Sequence, residues 1–188
     1  MQRETVLRPT IATDVIAVGG VALLTAAAAQ VSIHIGPVPQ TLQTFSVLGG
    51  SAWLGSRRGL ASMALYVALG LVFPVYAGGG HGWTEMSGTS GGYLAGFVLA
   101  GLATGWACER FGTRYLVTVP ALLLGSAAIY VPGLLWFHHL YPALGWSYVI
   151  HWGFAVFVVG DLLKIAAAVA MLDPSTPWGG WLARRRLV

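Results

Sequence analysis

The 188-residue sequence predicts an all-α integral membrane protein, a bundle of six transmembrane helices with both termini cytoplasmic. Three observations predict it. Hydrophobic residues make up 56% of the chain and charged residues only 9%, which is not the composition of a soluble domain. Six apolar segments recur along the chain, separated by Gly, Pro or charged residues. All nine arginines fall at chain ends or in alternate connections, so an even number of spans collects them on one side.

The segments run over residues 11–35, 42–54, 60–76, 93–109, 115–137 and 148–172. A spanning helix needs about 20 apolar residues, within a range of roughly 17 to 25, so the second is short and expected to be tilted, broken or partly re-entrant. Residues 1–10 form an N-terminal cytoplasmic segment, 11–172 a single membrane domain, and 173–188 an interfacial tail with helix-breaking prolines, two tryptophans and three arginines. The first apolar run is too long for a typical signal h-region and is read as a retained helix.

Lys and Arg mark cytoplasmic loops. Arg3 and Arg8 precede the first helix, Arg57 and Arg58 follow the second, and Arg110 and Arg114 follow the fourth; Arg184, Arg185 and Arg186 come after the sixth. The opposite side carries His34, His81, Glu85, His138, His139 and His151 and no Lys or Arg. Tryptophans agree, because Trp53, Trp106, Trp178 and Trp181 fall near inner ends and Trp83, Trp136, Trp146 and Trp152 near outer ends or loops. The basic pI of about 9.6 therefore reflects topology and anionic lipid rather than nucleic acid. The single Cys108 excludes an intramolecular disulfide, and the histidines lack metal-ligand spacing, so neither a metal nor another cofactor is expected.

Three polar segments interrupt this apolar background. Asp161 and Lys164 stand inside the sixth segment, three residues apart and so on one helix face. An ionisable group at membrane depth costs at least a few kcal/mol unless a partner, cavity or ligand compensates it. The pair reads as a polar spot facing inward, either a ligand site or a mutually neutralised packing pair. Residues 29–44 place Pro37 and Pro39 among Gln30, Ser32, Gln40, Thr41, Gln43 and Thr44, where exposed backbone needs a hydrogen-bonding partner. Residues 77–93 are glycine-rich and end in GTSGGY, a segment able to approach a ligand closely and move as a lid, or to serve as a flexible connector. On the first helix, Ala22 and Ala26 make a small-xxx-small face suited to another membrane subunit or to close packing inside the bundle.

Three stretches, AAAAQVSIHIGPVPQTLQT followed by LGSRRG, YVALGLVFPVYAGGGHG leading into GTSGGYLAGF, and GDLLKIAAA, resemble the BioY family, the biotin-specific substrate-binding S component of energy-coupling factor (ECF) transporters. The resemblance implies a six-helix bundle in the cytoplasmic membrane. Its biotin pocket would lie near the outer side, under the loops joining helices one to two and three to four. It implies no enzymatic activity in this chain, and two kinds of partner: a transmembrane coupling subunit, docking on the Ala22 and Ala26 face, and cytoplasmic ATPase subunits. Asp161 and Lys164 look like polar ligand contacts, with Thr89, Gly91, Gly92 and Tyr93 closing or stacking on the pocket; Gln43, Thr41 and Gln30 transfer more weakly. Where some members have a side-chain amide after the position of Tyr76, this chain reads Ala77 and Gly78, so backbone or water substitutes there.

The residue chemistry suits such a ligand. A ureido ring offers two N–H donors and a carbonyl, the thiophane and valeryl chain want apolar walls, and the carboxylate wants a cation or N–H group. Other readings stay open at this stage: an S component for a different vitamin, a proton-coupled transporter using Asp161, and a membrane-embedded enzyme using the outer histidines.

Overall fold

The computed structural model describes residues 10–184. Arg3, Arg8, Arg185 and Arg186, and the side chains of Trp178, Trp181 and Arg184, lie outside the described residues. The architecture is helical, with α1 (Ile11–Gln30), α2 (Gln43–Leu54), α3 (Ser56–Gly70), α4 (Gly82–Ser87), α5 (Gly91–Phe111), α6 (Tyr115–Leu140), α7 (Gly145–Gly153), α8 (Val158–Leu172) and α9 (Pro177–Arg184). A two-residue antiparallel ladder, β1 (Ser32–Ile33) with β2 (Gln40–Thr41), closes the loop after α1 and pairs Ser32 with Thr41 and Ile33 with Gln40.

Among the described residues, four segments are long and apolar enough to cross a membrane: Ile11–Gln30, Gly91–Phe111, Tyr115–Leu140 and Pro142–Leu172. The second and third expected spans form α2 and α3, only 12 and 15 residues long and divided at Gly55, whose φ of 83° lets the chain turn there. The first helix ends at Gln30, five residues before its expected limit, because the segment carrying Pro37 and Pro39 folds as the β-ladder and its turn.

Between lipid and helix there is little hydrophobic driving force, so close packing must hold such a bundle. α5 supplies it on two edges. A Cβ on Gly92 or Gly96 would collide with the α6 backbone at Pro132 or Ile129, and one on Gly101 or Gly105 with Gly59 or Gly55. Each edge is a glycine pair four residues apart, which lets backbones approach in the manner of a GxxxG surface.

Polar side chains fasten the two ends of the bundle. At one end Asp14 pairs with Arg58 at 2.9 Å, Glu109 accepts the Ser56 N–H at 2.8 Å, and Asp173 accepts the Tyr115 N–H at 2.8 Å. The last two carboxylates occupy N–H groups that helix starts leave open. Hydrogen bonds from the Ser175 hydroxyl and N–H, with smaller contributions from the Tyr115 N–H and Arg114, hold the Asp173 carboxyl below its usual range. At the other end Gln30 donates to the Tyr76 carbonyl at 3.2 Å and Trp136 donates to the Gly88 carbonyl at 2.9 Å.

The expected sixth helix is broken. Helix α7 ends at Gly153, Phe154 has non-helical φ and ψ of −140° and −58°, and one turn of 3₁₀ helix, Ala155–Phe157, leads into α8. Side chains from other elements take the freed carbonyls: the Tyr93 hydroxyl donates to Gly153 O at 2.9 Å, and the Gln40 amide donates to Val156 O at 2.7 Å. Broken backbone at membrane depth survives only with such substitutes.

Candidate functional site

Asp161 lies in the first turn of α8 and is 6% exposed. Lys164, one turn later, donates to Asp161 Oδ1 at 2.8 Å and to Thr44 Oγ1 of α2 at 3.1 Å. Thr44 in turn donates to Asp161 Oδ1 at 2.9 Å, and the Tyr130 hydroxyl of α6 donates to Oδ2. Both carboxylate oxygens therefore have protein donors, which is what a buried carboxylate requires. Lys164 has three N–H groups and uses two, so one remains for a ligand acceptor.

Beside this cluster a cavity is walled by Leu94, Phe97, Ile129 and Phe157 and by the Tyr93 and Tyr130 rings. Those two rings meet edge to face at a centroid distance of 6.2 Å. Val38 and Pro39 cover it from the β1–β2 turn, and Tyr76, Ala77 and Glu85 close another side. Mostly apolar walls with a few convergent polar groups describe a small-molecule site.

The turn is held over the cavity from both flanks. Thr89 donates to the Pro37 carbonyl at 2.7 Å, Gln40 reaches Val156, and the Trp152 ring lies so close to Gly36 that a Cβ would meet it at 2.5 Å. Below it, the Thr41 hydroxyl donates to Gln43 Oε1 at 2.8 Å, the Gln43 amide donates to the Tyr66 hydroxyl, and Tyr66 donates to the Val75 carbonyl at 3.2 Å. That chain of bonds fixes which way the buried Gln43 amide faces.

Of the residues singled out from sequence, Asp161, Lys164, Tyr93, Gln43 and Thr41 line the cavity. The others stand behind it. Thr89 latches the turn, Gly91 and Gly92 give α5 its close approach to Met86 and α6, Gln30 ties α1 to Tyr76, and Gly78, at φ 63°, sits against His34. Ala22 and Ala26 are 0% and 8% exposed within the chain's own bundle, so the face expected at a partner interface is not open here. Small side chains are what allow α1 to pack so closely.

Sequence reasoning missed Tyr130, Tyr66 and Glu85 as site residues. Tyr130 lies 31 positions from Asp161 in a different helix, and nothing in its local pattern links the two. Among the described residues no group of three or more His, Cys, Asp and Glu side chains is placed to hold a metal ion, and His138 is stacked on Trp146 at 4.1 Å.

The BioY family model matches residues 1–178. A probable biotin transporter BioY of Pyrococcus horikoshii is 36% identical over 151 residues, covering 80% of this chain and 88% of that one. The biotin transporter BioY of Thermotoga maritima is 34% identical, covering 74% and 82%, and BioY2 of Lactococcus lactis 31%, covering 76% and 79%. The crystal structure of an S-component for biotin from an ECF-type ABC transporter superposes with a TM-score of 0.76 at 22% identity, over 86% of this chain and 90% of that chain; this likeness concerns the fold.

Proposed function

Because the chain belongs to the BioY family, we propose that it captures biotin as the substrate-binding S component of an ECF-type ABC transporter. The observation that carries this reading is the Lys164 ammonium, held in place by Asp161 and Thr44 with one N–H to spare beside an apolar cavity. Such a site pairs a cation and fixed hydrogen-bonding groups with walls for a thiophane and an aliphatic chain. Both oxygens of Asp161 being bonded favours this role over one as a free-standing proton carrier.

The proposed topology is six traverses with both termini cytoplasmic. Supporting it, the Asp14–Arg58, Glu109–Ser56 and Asp173–Tyr115 contacts gather the start of α1, the α2–α3 junction, the end of α5, the start of α6 and the end of α8 at one end of the bundle. The cavity's covering turn belongs to the opposite end, so substrate enters from outside. Energy for uptake comes from the partner coupling and ATPase subunits. In place of the buried Ala22 and Ala26, the surface offered to the coupling subunit is the adjoining apolar groove between α1, α2 and α8, floored by Ala17, Gly20, Gly49, Gly50 and Ala168.

Titration of the purified, detergent-solubilised protein with biotin, with riboflavin and thiamine as competitors, tests the reading. Saturable binding displaced by biotin alone is expected. Absence of saturable binding, or equal displacement by the other vitamins, overturns it.

A further inference from the structure

No continuous helical ladder joins α7 to α8, because Phe154 leaves the helical region and a single 3₁₀ turn, Ala155–Phe157, links them. The direction in which α8 sets off is therefore not dictated by α7, and contacts from other elements must fix it. Two hydrogen bonds flank the break. Tyr93 of α5 holds the α7 side at Gly153 O, 2.9 Å away, and Gln40 holds the α8 side at Val156 O, 2.7 Å away. Ring contacts of Phe154 and Phe157 with Tyr130, at centroid distances of 4.9 and 6.3 Å, press the same turn against α6. Ring packing tolerates a range of angles, whereas a hydrogen bond of this length is directional.

Gln40 lies outside the cavity wall. Its backbone is fixed by the ladder pairing with Ile33, and its side chain reaches a turn 116 positions away in sequence. Val156 comes just before α8, and Asp161 lies in the first turn of that helix. Thr44 of α2 meets Asp161 at 2.9 Å and Lys164 at 3.1 Å, contacts that need α8 to start at the right place and rotation. A shift of one residue there would turn each side chain by about 100° about the helix axis. We infer that Gln40 is a positioning residue: its bond to Val156 O sets the start of α8 and so brings the Asp161–Lys164 pair to Thr44. The pair and the turn above it are thereby built as one unit, because the residue that fixes α8 belongs to the second strand of that turn. Only the binding measurement below rests on the biotin reading.

Hydrogen–deuterium exchange of the full-length protein in detergent tests this without a ligand. Gln40→Met keeps the length of the side chain and removes its donor. It is expected to raise exchange over residues 154–164 at least about tenfold, while the buried helix α5 exchanges as in the wild type. Unchanged exchange over 154–164 overturns the inference. If Gln40→Met loosens α5 as well, Gln40→Asn decides, since it keeps the amide but is too short to reach Val156; a rise in α5 with both variants makes the bond a general prop of the fold and also overturns the inference. Binding supplies the second measurement. Gln40→Met and Thr44→Val are each expected to weaken biotin about tenfold, and the double variant by much less than the product, because both act through the same contact. A full product separates Gln40 from the Asp161–Lys164 pair and overturns the inference while leaving the biotin reading standing. If the wild type binds no biotin, that reading falls, and the exchange measurement still decides the role of Gln40.

Discussion

Tyr66 is fully buried outside the cavity, and its hydroxyl joins Gln43, in the cavity wall, to the Val75 carbonyl ahead of the 77–93 loop. The phenol accepts from the amide and donates to the carbonyl, so both neighbours lose a partner when it is removed. Tyr66→Phe keeps the ring's packing and leaves the 5% exposed Gln43 amide with an unmade bond. A buried group stranded in this way costs about 1 to 3 kcal/mol. The expected result is a lower thermal unfolding temperature together with faster biotin dissociation, because the amide no longer anchors the wall beside the loop. A dissociation rate equal to that of the wild type would confine Tyr66 to packing. Asp161 and Lys164 were legible in the sequence at this scale because charge in an apolar run is conspicuous. Tyr66 and Tyr130 were not, since a tyrosine in a span looks the same whether its hydroxyl meets lipid headgroups or a buried carboxylate.

At the scale of helices, α1 presents two faces with different uses. Ala22, Ala26 and Ala29 point into the bundle, whereas a Cβ on Gly19 or Gly20 would meet nothing within 4 Å. A bulky residue at position 22 would wreck the core and test nothing about coupling. Gly20→Trp instead places its side chain on the groove lined by Phe45, Gly49 and Trp53, where a Cβ meets nothing within 4 Å. It is expected to leave the biotin dissociation constant within about twofold of wild type and to cut uptake at least about tenfold when the coupling and ATPase subunits are present. Unchanged uptake would remove this groove as the docking surface. The alanine pattern announced a tightly packed helix but could not say against what, because small-xxx-small surfaces suit a neighbour in the same chain as well as one in another. The break between α7 and α8 was equally hidden. Its cause is tertiary: Tyr93 and Gln40 take the carbonyls that a continuous helix would have used, and neither lies near residue 154 in sequence.

Across the whole molecule, the arginine pattern and the contacts at one bundle end group the same helix junctions by independent routes. Charge placement groups Arg57, Arg58, Arg110 and Arg114 from loop electrostatics alone. The structure gathers the same junctions through carboxylates that cap helix starts, with Glu109 on Ser56 and Asp173 on Tyr115. The short α2 and α3, 12 and 15 residues long, pack against α5, so in the proposed topology neither need match the lipid thickness by itself. Because Cys108 is buried, a cysteine placed elsewhere reports its own side of the membrane. Trp83, 74% exposed in α4, and Arg110, exposed at the end of α5, lie at opposite ends of the proposed arrangement. A membrane-impermeant maleimide applied to intact cells is expected to label Trp83→Cys and to reach Arg110→Cys only after permeabilisation. Labelling of both in intact cells, or the inverse pattern, would break the even-span topology and with it the assignment of the lid end to the outside.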